Sequence, residues 1–242
     1  MNALAKLTRT EAKLQLRTPT FLLLGALFPS VILLAVGSIP GMQQSYQGGP
    51  RFIDAWAPSL IVMAITVLGL QSIPAYLATY RERGILRRLA TTPVHPGKLL
   101  LAQLVINVVV VLIGVGLLLV VGATVFHIPG PKHPLGFALA LVVGIGSVFG
   151  IGLLAAALAR TSRGAGGLAA IALFPVMILG GVYLPRQFLP GVLKTIGEFT
   201  PPGVQALQDS WTGGGPQPLQ SAVLAVFTVA IIALATRLFR WE

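Results

Sequence analysis

Residues 99–125 read LLLAQLVINVVVVLIGVGLLLVVGATV, and no residue in the run carries a charge. A helix rising about 1.5 Å per residue needs about 20 apolar residues to cross the ~30 Å hydrocarbon core of a bilayer. A helix that is apolar on every side has no water-facing surface to offer. The stretch therefore reads as a membrane span. Five more windows of 20 residues or more lack Asp, Glu, Lys and Arg: 18–50, 55–80, 133–159, 164–185 and 210–236. The expected helices lie near 20–39, 58–79, 99–125, 135–159, 165–183 and 219–237. The chain is thus expected to be an all-α membrane protein with six transmembrane helices in one domain over residues 1–242.

Composition agrees. Of 242 residues, 55% are hydrophobic and 10% charged, with a mean hydropathy of +0.86. Soluble domains carry about 25% charged residues. The 28 Gly and 18 Pro do not signal disorder, because the runs between them are too apolar. The 17 Lys+Arg against 6 Asp+Glu give +11. On a soluble chain that excess would point to nucleic acid. Here the cations stand in short clusters between apolar runs, as loop charges beside anionic lipid do, and no nucleic acid is expected. There is no Cys, hence no disulfide framework or thiolate chemistry. His95, His127 and His133 have no metal-ligand spacing with carboxylates, so no metal site is expected.

Loop cations orient the spans. Lys6, Arg9, Lys13, Arg17, Arg81, Arg83, Arg87, Arg88, Lys98, Arg160, Arg163, Arg237 and Arg240 fall on one side, and Arg51, Lys132, Arg186 and Lys194 on the other. Thirteen against four puts both termini in the cytoplasm. The first window resembles a secretory leader, with Ala35-Val36-Gly37 as a weak cleavage site, but its basic lead-in is long and Pro29 interrupts the run.

Three segments are not spans. Residues 1–17 read as an interfacial helix, with Leu4, Leu7, Glu11 and Leu14 on one face and Lys6, Arg9, Lys13 and Arg17 spread over the other. Residues 80–92 read as a cytoplasmic amphipathic helix, with Ile85 and Leu89 one turn apart, stopped by Pro93 and Pro96. It reads either as a docking rod or as a stop-transfer cluster of cations. Residues 184–217 are too broken by Pro to span, yet hold two apolar sets at helical spacing, Phe188 to Phe199 and Val204 to Trp211. Two short extracellular helices within 187–212, joined at Pro201-Pro202, are expected. Irregular backbone at membrane depth is buried in protein or lines a wet cavity, so this pair reads as an exit region, a gate formed by Phe188, Pro190, Phe199, Pro201 and Pro202.

None of the six expected spans contains Asp, Glu, Lys or Arg. Ion-coupled transporters and charged-ring channels rely on such residues, so neither reading has a residue to run on. The polar groups within the spans are Gln71, Ser72, Gln103, Asn107, Thr66, Thr124, Ser147 and Thr228, expected to be mostly interhelical glue. No stretch matches G-x-x-x-x-G-K-[ST], and Gly164-Ala165-Gly166-Gly167 lacks the Lys. No Ser/His/Asp set occurs in one loop. Gly146 and Gly150, four apart, allow a close helix approach. Pro29, Pro74 and Pro175 are expected to kink their spans.

These pieces, in this order, resemble the permease subunit of type-2 ABC exporters, in a small drug-export-like form without a large external domain. Glu82-Arg83-Gly84-Ile85-Leu86-Arg87-Arg88-Leu89-Ala90-Thr91-Thr92-Pro93 is similar to the family's Glu-x-Gly-x-x-x-x-Leu-x-x-x-Pro segment after the second span. Leu189-Pro190 through Phe199-Thr200-Pro201-Pro202 to Leu207 is similar to its extracellular helical pair. The resemblance implies a working unit of two permeases, identical or homologous, and two copies of a separate ABC ATPase that binds ATP and Mg. This chain itself would then hold no cofactor and catalyse no reaction. It implies that the helix near 82–92 couples to the ATPase through Glu82, Arg83, Gly84, Arg87, Arg88, Leu89 and Pro93, helped by Arg160 and Arg163. It further implies outward passage of an amphipathic small molecule, drug-like or lipid-like, between permeases in the bacterial plasma membrane. Gln71, Asn107, Phe174, Met177 and Tyr183 are candidates for that path. A passive facilitator or scramblase, and a membrane assembly subunit that moves nothing, are the alternatives.

Overall fold

The computed structural model describes residues 3–17, 19–45, 50–85, 88, 97–159, 161–183, 188–215 and 217–238. Every named element is helical. Helix α1 spans Ala3–Arg17, α2 Thr20–Ala26 and α3 Phe28–Gly37. A long helix follows, formed by α4 (Phe52–Thr66), a π-helical segment (Val67–Ser72) and α5 (Ile73–Glu82). Then come α6 (Gly97–Val125), α7 (Pro134–Leu158), α8 (Ser162–Leu179), α9 (Gly191–Phe199), α10 (Val204–Thr212) and α11 (Pro218–Leu238). Among the described residues, five helices are long and apolar enough to cross a membrane, and a sixth crossing is present if α2 and α3, bent by 45°, form one broken span rather than a re-entrant pair. The bend falls where Pro29 enters the first turn of α3. Its missing N–H ends the run of i→i−4 bonds from α2.

The second span is the post of the bundle. It runs Phe52–Glu82, 31 residues, or about 46 Å at helical rise. That exceeds the ~30 Å hydrocarbon core, so both ends reach the headgroup layers. It starts six residues before the expected Pro58, which therefore lies inside α4. Asp54, Arg81 and Glu82 belong to the same helix, but at its two ends. Leu60, Ile61, Leu68 and Leu70 have no exposed surface. Around this post pack α2 and α3 on one flank, α6 and α7 on others, and α8 against α5. The α7–α11 pair forms the longest interface, while α1 lies along α6.

Pro74 sets the middle of the post. Its ring collides with the carbonyl four residues back in a regular helix, and the π-helical turn at 67–72 widens the spiral just before it. The wide turn brings the Gly69 carbonyl against α7. A Cβ on Gly152 would stand 1.9 Å from that oxygen, and a Cβ on Gly69 would meet Phe149 and Val148 at 2.8 Å. The other crowded glycines serve other partners. Gly146 and Gly150 face Thr228 and Ile231 of α11, and Gly144 faces the carbonyl of Pro202.

The expected interhelical glue is mostly local. Thr66, Thr124 and Ser147 donate to their own helices at Val62 (2.6 Å), Val120 (2.7 Å) and Gly144 (2.9 Å). A hydroxyl in hydrocarbon takes the nearest free lone pair, which is usually one turn back. Thr228 also reaches Val143 of α7, at 3.4 Å.

Gly152→Val would drive a side chain into backbone that has no room to move. A loss of about 1–3 kcal/mol or more is expected, seen as a fall in monodisperse protein by fluorescence-detected gel filtration. Gly166→Ala, with open space at the new Cβ, should leave the yield unchanged or raise it.

Candidate functional site: the basic end of the bundle

The last turn of α5 ends in Tyr80, Arg81 and Glu82, and each makes a different connection. Glu82 closes the turn between α7 and α8 from one side. Its Oε1 accepts the backbone N–H of Ser162 at 2.7 Å, and its Oε2 accepts the Ser162 hydroxyl. Thr161 caps the same helix, its hydroxyl oxygen accepting from the Gly164 N–H at 3.1 Å. Arg81 closes the turn from the other side. Its Nη1 donates to the carbonyl of Ala156 at 3.0 Å and to that of Ala159. A carboxylate thus sits on the electropositive start of α8 and a guanidinium on the electronegative end of α7, both stabilising placements against the helix dipoles.

Tyr80 reaches the third and fourth partners. Its hydroxyl donates to Glu11 Oε2 at 2.5 Å. Gln103 Nε2, in the second turn of α6, donates to the same oxygen at 2.6 Å, and Gln15 Nε2 donates to Gln103 Oε1 at 2.6 Å. Glu11 and Gln15 are 6% and 2% exposed. The face that α1 buries is therefore Leu7, Glu11 and Gln15. Leu14, expected on the buried face, is 46% exposed. Polar residues win this face because Tyr80 and Gln103 present donors that only an acceptor can satisfy. Burial pushes the Glu11 carboxyl above its ordinary value, while the bonds from Tyr80 and Gln103 pull it partly back. Lys6, Arg9, Lys13 and Arg17 stay exposed on the rest of α1.

Beyond Glu82 the chain leaves the post. Gly84 has a φ of +66°, a left-handed conformation that suits a residue without Cβ. Its N–H bonds to the carbonyl of Arg81, and its carbonyl accepts from Arg88. The expected rod over 80–92 is thus divided. Residues 80–82 continue the span, and a separate helical turn begins at Ile85. Arg83 and Arg88 are exposed, as is Arg163 across the turn. Arg87, Leu89, Pro93 and Arg160 lie outside the described residues.

The path candidates separate by burial. Gln71 is exposed on the π-helical turn. Phe174 and Tyr183 are 58% and 57% exposed, with ring centroids 6.4 Å apart. Met177 is 3% exposed, inside the core. Asn107 is fully buried, its Nδ2 donating to the carbonyl of Gln103 at 2.8 Å.

At the opposite end α9 and α10 are joined through Thr200-Pro201-Pro202-Gly203. The two halves behave differently. Helix α10 buries Val204, Leu207 and Trp211 against α4 and α7. Helix α9 leaves Val192, Ile196 and Phe199 exposed, as is Phe188 before it. Pro190 is exposed and Pro202 buried, with Pro201 between. Lys132 and His133 bond through backbone N–H to the carbonyls of Trp211 (3.4 Å) and Ser210 (2.9 Å), which ties the loop before α7 to α10. The sequence reading passed over Tyr80, Arg81, Glu11, Gln15, Gln103 and Ser162 as site residues. For most of them the only available sign was position, next to the ends of spans.

Five or six apolar crossings around a buried post, with cationic and hydrogen-bonded elements gathered at one end, define a multi-pass membrane protein. The chain belongs to the ABC-2 type transporter family, whose sequence model matches residues 2–202. It is similar to the inner membrane transport permease YhhJ of Escherichia coli (strain K12), 29% identical over 154 residues, and to the protein of that name in Shigella flexneri at the same identity. The alignment covers 61% of this chain and 40% of each relative. The chain spans about two-fifths of the length of the curated relatives it matches.

Glu11 makes the seating of α1 depend on pH. A carboxyl whose pKa rises on docking holds its proton more readily when docked. Its contribution is fully present below the ordinary value of 4.5 and is lost as pH rises through the raised value. Amide exchange in residues 7–15, corrected for intrinsic rates, should therefore quicken with rising pH in the wild type. Glu11→Gln keeps an acceptor for both donors and should flatten that dependence. Glu11→Ala strands buried donors, at about 1–3 kcal/mol each, and should quicken exchange at every pH.

Proposed function

We propose that this chain is the membrane permease subunit of an ATP-driven ABC exporter that moves amphipathic small molecules, drug-like or lipid-like, outward. The family supports the transport role. The observation that carries the energy source is the junction at Tyr80-Arg81-Glu82. Three consecutive side chains grip α1, α6, α7 and α8 immediately before an exposed basic segment. A partner that pulls on residues 83–88 pulls on four helices at once. In this reading the partner is an ABC ATPase in two copies, which binds ATP and Mg, while the permease hydrolyses nothing itself. Arg83, Arg87 and Arg88 meet its acidic surface, and such charge pairs fix register and speed of docking more than raw affinity.

The basic end faces the cytoplasm of a bacterial cell, in keeping with the thirteen-to-four division of cations. A second permease, identical or homologous, completes the unit. Phe174, Tyr183 and Gln71, all exposed, lie toward the substrate path, with α9 and its link to α10 as the outer gate. Glu82 and Arg81 act by transmission, holding the α7–α8 turn to the post, while the exposed arginines make the docking contact.

Arg87→Glu with Arg88→Glu should abolish co-purification of the ATPase while leaving the permease folded and monodisperse. A double variant that keeps its ATPase and its transport would remove the docking assignment. Uphill solute movement by the purified chain alone, driven by protons or sodium, would remove the ATP-driven reading itself.

A further inference from the structure

A cavity of about 220 Å³ lies at the end of the bundle opposite α1. Its floor is Leu33 of α3, Ala57 of α4 and Leu118 of α6, all 2% exposed or less. Its rim is Ala123 of α6 and Gly130, both exposed. The opening is therefore on the flank of a membrane span, beside the loop that leaves it. About 150 Å³ of apolar cavity is enough to hold a benzene ring, so this space takes a section of an acyl chain.

Trp211 forms part of the wall. It is 5% exposed, and its indole N–H is buried with no hydrogen-bond partner. A buried donor without an acceptor is costly, and the surrounding side chains offer it none. Beside it stands Lys132, whose backbone N–H bonds to the carbonyl of Trp211 itself. Lys132 is exposed and forms no ion pair among the described residues. The slot thus has Pro131 and Trp211 in its wall, and the exposed cation Lys132 follows Pro131 directly in the chain.

We infer that this cavity binds one anionic phospholipid from the adjoining leaflet, its acyl chain inside against Trp211 and its phosphate at Lys132. An apolar slot that opens beside an exposed cation suits an acyl chain carrying an anionic headgroup. The space lies within a single chain, between the first three spans and α10. Its occupant would brace α10, and through it the outer end of the bundle, against α3 and α6.

The test titrates the purified full-length chain in detergent with dioleoyl phosphatidylglycerol or dioleoyl phosphatidylcholine, counting retained lipid by native mass spectrometry. One phosphatidylglycerol should be retained per chain, with a preference over phosphatidylcholine of about fivefold. Lys132→Ala, on an exposed loop, should remove the preference. Ala123→Phe, at the exposed rim, should lower retention of both lipids by about tenfold or more. A second measurement uses phosphatidylglycerol with brominated acyl chains, which should quench tryptophan emission. The quenched component should vanish in Trp211→Phe and shrink in Ala123→Phe. Equal retention of the two lipids by the wild type, or a preference that survives Lys132→Ala, overturns the inference. So does quenching that is indifferent to Ala123→Phe.

Discussion

The contact on which the basic end depends is electrostatic and very short in sequence. Arg81 and Glu82 are neighbours on α5, one cationic and one anionic, and they straddle the turn between α7 and α8. Helix ends leave carbonyls and N–H groups unpaired, and at the edge of a bilayer water meets this need only from one side. The guanidinium takes the carbonyls of Ala156 and Ala159, and the carboxylate takes the N–H and the hydroxyl of Ser162 at the start of α8. Adjacent positions on a helix point in different directions, so these two opposite charges do not face each other. Here each has a helix terminus of opposite sign to face, so both are satisfied apart. The second span is thereby bound to the fourth and fifth without a single interhelical ion pair among the described residues.

The same span is tied at its ends and closely packed in its middle. At the basic end it is held by Tyr80, Arg81 and Glu82. At the far end Arg51 makes a bidentate pair with Asp54, both bonds 2.8 Å, and reaches the carbonyl of His127 at 3.3 Å. Between them lies the π-helical turn, where Gly69 and Gly152 put backbone against backbone. A wide turn stores one residue of slack, since returning to regular i→i−4 bonding shifts everything beyond it by a fraction of a turn. Pro74 keeps that return from being cheap.

The five long spans were legible because hydrocarbon demands long charge-free helices, and a run such as 99–125 meets that demand by composition alone. Helix ends were less legible. The charge-free window 55–80 puts the start of the second span near 58, whereas Asp54 and Arg51 together carry the helix back to Phe52. Residues 80–92 read as one rod because the charge pattern is continuous. Gly84 breaks it, and nothing in hydropathy distinguishes a glycine with positive φ from one inside a helix. Glu11 was placed on the right face of α1, but as one member of an apolar stripe. Its partners Tyr80 and Gln103 are 69 and 92 residues away, so no local pattern relates them. The shared-carboxylate node appears only when three helix ends are brought together.

Charge placement along the second span bears on how work reaches the membrane. Asp54 lies at one end and Arg81 and Glu82 at the other, with no ionisable group from 55 to 79 apart from the phenol of Tyr76. A phenol stays neutral across the physiological range, so a proton or sodium gradient has nothing in this stretch to act on. The charges that do exist are spent on fixing helix ends. In the proposed exporter a conformational change begins where an outside partner can reach, at the exposed cations beyond Gly84, and passes along α5. In that exporter the force enters at the tightly tied end, while at the opposite end α10 is held by the backbone bonds from Lys132 and His133 and by packing against α4 and α7.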